Sequence, residues 1–352
     1  MPSGRLIIHA INVHQGGGLT LLLPLLEALP EDLEVVAALD SRLQERKLVP
    51  GNINTRWVKP TIQERLKAEW WLARNARADD RVLCFGNLPP IFRVPGSVQV
   101  FLQNRYLIEP FSLADFSCKT RLKIGLERLW LASRAEQVTA FIVQTPSMQR
   151  SLRSSGIAKN KPIRIFPFVS ESEGYRRTGK DSHPHATNRF DFLYVASGEP
   201  HKNHKTLVQA WSLLASEGLF PTLCLTLDEK TTLPLIHWIN QQKSAHKLRI
   251  ENQGSLPHQG VKRLYRETQA LIYPSSFESL GLPLIEARQA GLPVLAPELD
   301  YVRDVLDPEQ TFDPHSPTSI ARAVKRFLGI EENPLPLQNA REFIHRALVQ
   351  AQ

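Results

Sequence analysis

Cysteine is scarce in this chain: Cys84, Cys118 and Cys224 are odd in number, far apart and without metal-type spacing. That excludes a disulfide scaffold and a thiolate metal cluster, and it points to reduced thiols in a cytosolic protein. Long apolar runs are missing too. The longest, Leu19 to Leu29, is too short to cross a bilayer and is interrupted by Pro24 and Glu27. No leader is expected, because the chain opens on the charged, strand-like Arg5-Leu6-Ile7-Ile8-His9-Ala10-Ile11. His9, His14 and the other histidines lack ligand spacing, and no Asp-x-Asp occurs, so no metal site is indicated. A complete Gly-x-Gly-x-x-Gly fingerprint with a trailing acid is absent as well, unless Asp40 serves as that acid.

What is present fits an ordinary globular protein of two domains: 352 residues, 42% hydrophobic and 22% charged. Apolar runs that read as strands are Leu6–Ile11, Val35–Leu39, Val82–Phe85, Val98–Leu102 and Phe141–Gln144, with helix-length segments between them such as Ile62–Ala76 and Leu122–Ala135. A second alternation runs through Phe190–Val195, Thr222–Leu227, Lys247–Ile250, Ala270–Tyr273 and Pro293–Ala296. Strands alternating with helices predict parallel sheets with right-handed crossovers. From Ser170 to Asn188 the chain turns polar and loses apolar periodicity, as a linker does. The predicted division is a first domain over 1–175, a linker over 176–189, a second domain over 190–335 and a helix over 336–352. Two such units place ligands at the carboxyl ends of their strands.

Charge is lopsided. Residues 1–190 hold 27 Lys and Arg against 17 Asp and Glu, a net of +10; the remainder holds 16 against 18, a net of −2. A basic half suits an anionic membrane, an anionic acceptor or nucleic acid, yet an ordinary soluble protein of basic pI looks the same. Two segments mix cations with aromatics: Arg65-Leu66-Lys67-Ala68-Glu69-Trp70-Trp71-Leu72-Ala73-Arg74, and Lys119 to Trp130. Both could lie on a membrane. The commoner arrangement, an amphipathic helix packed on a sheet with its aromatics buried, is the one expected.

The most informative stretch is Phe277-Glu278-Ser279-Leu280-Gly281-Leu282-Pro283-Leu284-Ile285-Glu286, where seven residues separate two carboxylates. Glu278 falls in a loop after the strand Ala270–Pro274, and a helix is predicted to begin near Leu282 or Pro283, since proline suits the first turn. Gly281 keeps the backbone bare there, so a phosphate could reach the free N–H groups. Helix geometry puts Glu286 about one turn in, facing the same cleft. The arrangement suits a nucleoside-diphosphate sugar: carboxylates for hydroxyls, a positive dipole for phosphates.

Together with Pro274 and Ser275 before it and Ala287, Gly291, Pro293 and Val294 after it, this string resembles the paired-glutamate signature of retaining glycosyltransferases of family 4, with the GT-B architecture of two Rossmann-like domains facing a central cleft. The resemblance implies that Glu286 binds the ribose hydroxyls and Glu278 the transferred sugar, while the backbone at Ser279, Leu280, Gly281 and Leu282 holds the diphosphate. Gly16-Gly17-Gly18 stands where the family carries its first-domain glycine loop, just before the predicted helix Leu19–Leu29. On residues alone it is equally a tight turn. Ser197-Gly198-Glu199-Pro200-His201-Lys202-Asn203 resembles the stretch after the second domain's first strand, and Lys202 matches the lysine that contacts the donor diphosphate. Ser197 departs from the family's arginine. Gln103 and Asn104 lie where many relatives place a histidine near the donor sugar, and an ordinary polar strand end fits them equally.

The resemblance therefore implies a retaining glycosyltransferase; cysteine usage places it in the cytoplasm, and the basic half would allow peripheral contact with the inner face of the membrane. It would move a hexose from a nucleoside-diphosphate sugar to a saccharide or lipid-linked acceptor, in lipopolysaccharide, O-antigen or other surface-polysaccharide assembly. No metal, other cofactor or nucleic acid is expected. The last helix would cross back to the first domain. Catalysis would lie in positioning and leaving-group stabilisation by Glu278 and Lys202, with same-face attack and the leaving phosphate oxygen taking the acceptor's proton. A nucleotide-sugar epimerase or phosphorylase on the same fold, or a non-catalytic Rossmann-type nucleotide-binding protein, is the alternative.

Overall fold

The computed structural model describes residues 4–45, 48–50, 53–109, 112–114, 116–168 and 189–330. The predicted linker, apart from Arg189, and the predicted C-terminal helix lie outside the described residues.

The first sheet has seven strands: β1 Leu6–Ala10, β2 Val35–Asp40, β3 Asn54–Val58, β4 Arg81–Cys84, β5 Ser97–Phe101, β6 Ala140–Val143 and β7 Ile163–Ile165. Their spatial order is β3-β2-β1-β4-β5-β6-β7 and every pairing is parallel. The second sheet has six: β8 Phe190–Tyr194, β9 Leu223–Leu225, β10 Ile250–Asn252, β11 Thr268–Ile272, β12 Val294–Pro297 and β13 Gln310–Phe312, ordered β10-β9-β8-β11-β12-β13 and again all parallel. The fold is thus α/β, with two Rossmann-like domains.

The central strands are apolar throughout because both faces of a parallel sheet are covered. All four residues of β6 and of β12 are buried. Alternation divides the first core between the two faces. Ile7, Val82, Val98 and Phe141 pack on one side with Leu72 and Leu131 from flanking helices. Ile8, Ala37, Phe101 and Ile142 pack on the other with Leu21, Leu22 and Leu26. In each sheet the strand order reverses beside its first strand, between β1 and β4 and between β8 and β11. Crevices open at such reversals, at the carboxyl ends of the strands.

Three strands escaped the sequence reading: β3, β7 and β13. All three are edges, with partly exposed patterns that carry little apolar signal. The glycine triplet is also placed differently. Gly16, Gly17 and Gly18 do not precede the helix but form its first turn, Gly16–Glu27.

Candidate active site

A cleft of about 580 Å³ lies between the domains, within the usual size of a small-molecule site. Its lining brings together Gly17 and Gly18, Gln103, Ser197 and Gly198, Lys202, Glu278, Ser279, Leu280, Gly281 and Leu282, and Glu286. Asn104 is not among the lining residues. Its Oδ1 accepts from the Tyr106 N–H at 3.1 Å and caps the turn Arg105–Leu107. Of these two amides it is therefore Gln103 that faces the cleft, and its Nε2 donates to the Phe85 carbonyl at 3.3 Å.

The motif folds as its residues dictate. Gly281 adopts φ +72°, the left-handed region, and the helix Leu282–Gln289 opens directly after it with Pro283 in its first turn. A Cβ on Gly281 would stand 2.9 Å from Leu284 Cδ1 and 3.3 Å from Tyr301 Cε2, so the position excludes a side chain twice over. Gly198 is equally confined, since a Cβ there would overlap Thr232 Cγ2.

Glu278 is held by three donors on one oxygen. Lys202 Nζ, the Tyr273 hydroxyl at 2.9 Å and the Ser275 hydroxyl at 2.6 Å all donate to Oε1. No described residue donates to Oε2, which leaves that oxygen for a ligand in the cleft. Burial pushes the carboxyl pKa up, but the Lys202 charge and the donated hydrogen bonds outweigh it and hold it below the usual range. The donors are pinned in turn. Tyr194 donates to the Lys202 carbonyl at 2.6 Å, and Tyr301 donates to the Ser275 carbonyl at 2.7 Å. Burial raises the pKa of all three tyrosines, so they remain protonated donors.

Glu286 is set one turn into its helix. Tyr265 donates to its Oε2 at 3.0 Å, and His258 Nδ1 stands 3.9 Å from its Oε1. Burial raises this carboxyl's pKa, against the opposing His258 charge and the Tyr265 hydrogen bond.

Helix ends supply the positive side of the cleft. Nine helices among the described residues have eight residues or more, and five of them are capped by their own N-cap side chain: Thr61, Ser117, Thr145, Asp228 and Ser316. Four lack such a cap: those starting at Gly16, His204, His258 and Leu282. Three of these four put their first residues on the cleft. Their free N–H groups and dipoles are arranged for an anion rather than for a capping side chain. Lys202 is the only Lys or Arg among the described lining residues. No group of three or more His, Cys, Asp or Glu is arranged to hold a metal among the described residues.

The domains meet across the motif. Arg105 donates to the Glu278 carbonyl at 3.2 Å and Thr145 to the Ser279 carbonyl at 3.2 Å. Tyr106 packs on Phe277 and His201, with ring centroids 4.7 and 5.5 Å away. Leu282 packs into the first domain's core, and its Cδ1 would lie 3.5 Å from a Cβ on Gly17. Sequence reasoning missed Tyr265, His258 and Tyr273 as site residues, and Asn87, whose Oδ1 accepts from the Gln103 N–H behind the cleft. A recognisable signal existed only for Tyr273, which directly follows the strand leading into the motif.

Two parallel-sheet domains with a ligand cleft at their strand ends define the GT-B architecture. Known proteins agree. Anabaena HepE, solved with UDP-glucose, superposes with a TM-score of 0.67 at 14% identity, covering 92% of this chain and 89% of that one. Sucrose-phosphate synthase from Thermosynechococcus elongatus gives 0.65 at 14% identity, covering 93% and 90%. Residues 176–343 match the family model of glycosyl transferases group 1. Among curated relatives, O-antigen chain mannosyltransferase B of Escherichia coli is 26% identical over 137 residues, 39% of this chain and 36% of that protein. O-antigen chain mannosyltransferase RfbU of Salmonella typhimurium is 23% identical over 187 residues, 52% and 48% respectively. The chain thus spans less than half the length of these relatives.

Proposed function

We propose that the protein is a retaining glycosyltransferase that moves a hexose from a nucleoside-diphosphate sugar to a saccharide or lipid-linked acceptor. It would act in O-antigen or other surface-polysaccharide assembly, in the cytoplasm and peripherally at the inner face of the membrane. One observation carries this reading: an open carboxylate oxygen on Glu278 and a second carboxylate on Glu286 flank three uncapped helix starts in one cleft. Acceptors for hydroxyls and donors for phosphates then line one cleft, as binding a nucleotide sugar requires. The matched family and the mannosyltransferase relatives support the same reading and make mannose the first sugar to test. Among the described residues no helix is long and apolar enough to cross a membrane.

In this proposal Glu286 accepts from the ribose and Glu278 Oε2 from the sugar. The diphosphate lies on the backbone of Ser279, Leu280, Gly281 and Leu282, with Gly17, Gly18, Ser197 and Gly198 close by. Lys202 stabilises the charge that develops on the departing phosphate, and the phosphate oxygen takes the acceptor's proton as the new bond forms on the same face. No metal ion enters the scheme. Incubation with labelled UDP-, GDP-, ADP- and dTDP-sugars, followed by product separation, tests it. Label should pass to an acceptor with the anomeric configuration kept. Label that stays in an isomerised nucleotide sugar would mean an epimerase instead.

A further inference from the structure

Two helices of the first domain turn apolar side chains away from the core. On Ile62–Asn75, residues Ile62, Leu66 and Trp70 are 79%, 44% and 53% exposed; on Cys118–Arg134, residues Leu122, Leu126 and Leu129 are 66%, 59% and 67% exposed. Intervals of four and three residues line each set along one helical face. The inward faces are already occupied by Ala68 and Leu72 on the first helix and by Ile124 and Leu131 on the second. These residues are therefore not the packed side of an amphipathic helix, as the sequence suggested, but a second apolar face turned outward.

The two helices are anchored to one segment. Trp130 Nε1 donates to the Pro89 carbonyl at 3.0 Å, and the Ile91 N–H donates to Glu69 Oε2 at 2.8 Å, so both helices are tied to the same short segment. Phe92, next along it, is 39% exposed. Seven of the twelve exposed large hydrophobics among the described residues thus fall on these two helices and the segment to which both are bonded, a clustering that marks an interaction surface.

Charge selects the occupant. Lys67, Arg74, Lys119, Lys123 and Arg134 border the stripes, and the Arg74 guanidinium lies 4.4 Å over the Trp70 ring. The local acids are neutralised or hidden: Glu64 pairs with Lys67 at 2.7 Å, Glu127 faces Lys123 at 3.8 Å, and Glu69 is buried. A second copy would bring an equally basic face, so like charges oppose self-association through this surface. Leucines beside tryptophan and cations match a bilayer interface, where apolar groups enter the acyl boundary and cations meet anionic headgroups.

We propose that the outward faces of helices Ile62–Asn75 and Cys118–Arg134 dock the protein on an anionic lipid bilayer. The docking surface rests on the peripheral placement proposed above but not on the transfer chemistry, so the two fail separately. The test is co-sedimentation of the full chain with phosphatidylcholine vesicles, with and without phosphatidylglycerol, at low and high salt. The wild type should pellet with the anionic vesicles and be released as salt rises. Removing cations in K67Q/K119Q/K123Q should weaken binding by about fivefold per charge. The variant L122Q/L126Q/L129Q should lose about tenfold or more at either salt, while its circular dichroism and its thermal shift with nucleoside diphosphates stay those of the wild type. A wild type left in the supernatant, or a leucine variant that pellets equally well, overturns the proposal. So does a dimer in sedimentation velocity that the leucine variant dissolves, which would assign the face to a second copy.

Discussion

Lys202 Nζ donates to Glu278 Oε1 although each side chain is only 13% exposed. A pair this enclosed fixes the carboxylate's orientation, and among the described residues Lys202 also remains the one lysine or arginine facing the cleft. Removing one partner of a buried pair costs about 3–5 kcal/mol, because the other charge is left uncompensated. Lys202→Ala should therefore lower both thermal stability and turnover, and turnover more than the donor's Michaelis constant rises, since charge on the leaving phosphate grows toward the transition state. The sign of the pH effect follows from Glu278. Its folded pKa is depressed, so the pair's stabilisation is present above the ordinary carboxylate range and is lost as pH falls through the lower folded value. Without Lys202 the acid limb of the rate profile should move to higher pH. Normal turnover in a folded Lys202→Ala protein would remove the lysine from the chemistry.

Glu286 is the better probe of nucleotide binding, because a ribose contact is present with donor and free nucleoside diphosphate alike. Glu286→Ala should weaken both by on the order of 1.5–3 kcal/mol. Tyr265→Phe, which takes away the hydroxyl bonded to Oε2 at 3.0 Å, should cost less, about 1 kcal/mol. Burial raises this carboxyl's pKa, so affinity should begin to fall at a higher pH than an exposed glutamate would give. Calorimetry at two pH values decides; unchanged affinity in the alanine variant would rule out the ribose role.

His204 opens the helix His204–Ser216 close after Lys202, packed 4.7 Å from the Tyr194 ring, and neither ring nitrogen has a hydrogen-bond partner among the described residues. Burial and then the Lys202 charge push its pKa down to about 3, and the same two causes push His201 down to about 4. The unfolded chain therefore binds more protons than the folded one below the ordinary histidine value, and stability should fall as pH drops from about 6.5 toward 4. Each histidine adds a slope of up to about 1.4 kcal/mol per pH unit in that window. His204→Leu should flatten the decline measured by urea unfolding, whatever it does to stability at neutral pH. A slope identical to the wild type would mean that His204 is protonated in the fold.

How much of this was legible depended on how local the physics was. The helix start at Leu282 could be read because Gly281 and Pro283 each set their own backbone, and the structure gives φ +72° and a first-turn proline there. The helix start at Gly16 could not. Glycines have poor helix propensity, and that turn is secured instead by the packing of Leu21, Leu22 and Leu26 further along. Asn87 was invisible for a different reason: only the tertiary fold brings its Oδ1 to the N–H groups of Gln103 and Asn104, at 2.6 and 2.8 Å. The outward leucines show a third kind of failure. Periodicity reveals that a helix has an apolar face but not whether that face points inward, and in Cys118–Arg134 Ile124 and Leu131 had already taken the core side.

Ser197 stands where the resembled family carries arginine, and it lines the cleft with an exposed side chain whose hydroxyl donates to Glu199. If the diphosphate lies against the uncapped helix starts, an arginine at this position can reach it, and the site would gain a second cation beside Lys202. Charge-assisted bonds of this kind contribute about 1.5–3 kcal/mol when partly buried, but Glu199 would compete for the guanidinium and the site is open to water. Ser197→Arg should therefore tighten nucleoside diphosphate binding by about tenfold at low salt, with a steeper salt dependence than the wild type. A nucleoside without phosphates should bind both proteins equally, which separates a phosphate contact from any general change in the loop. Equal diphosphate affinity and salt dependence in the two proteins would show that the phosphates lie beyond the reach of residue 197.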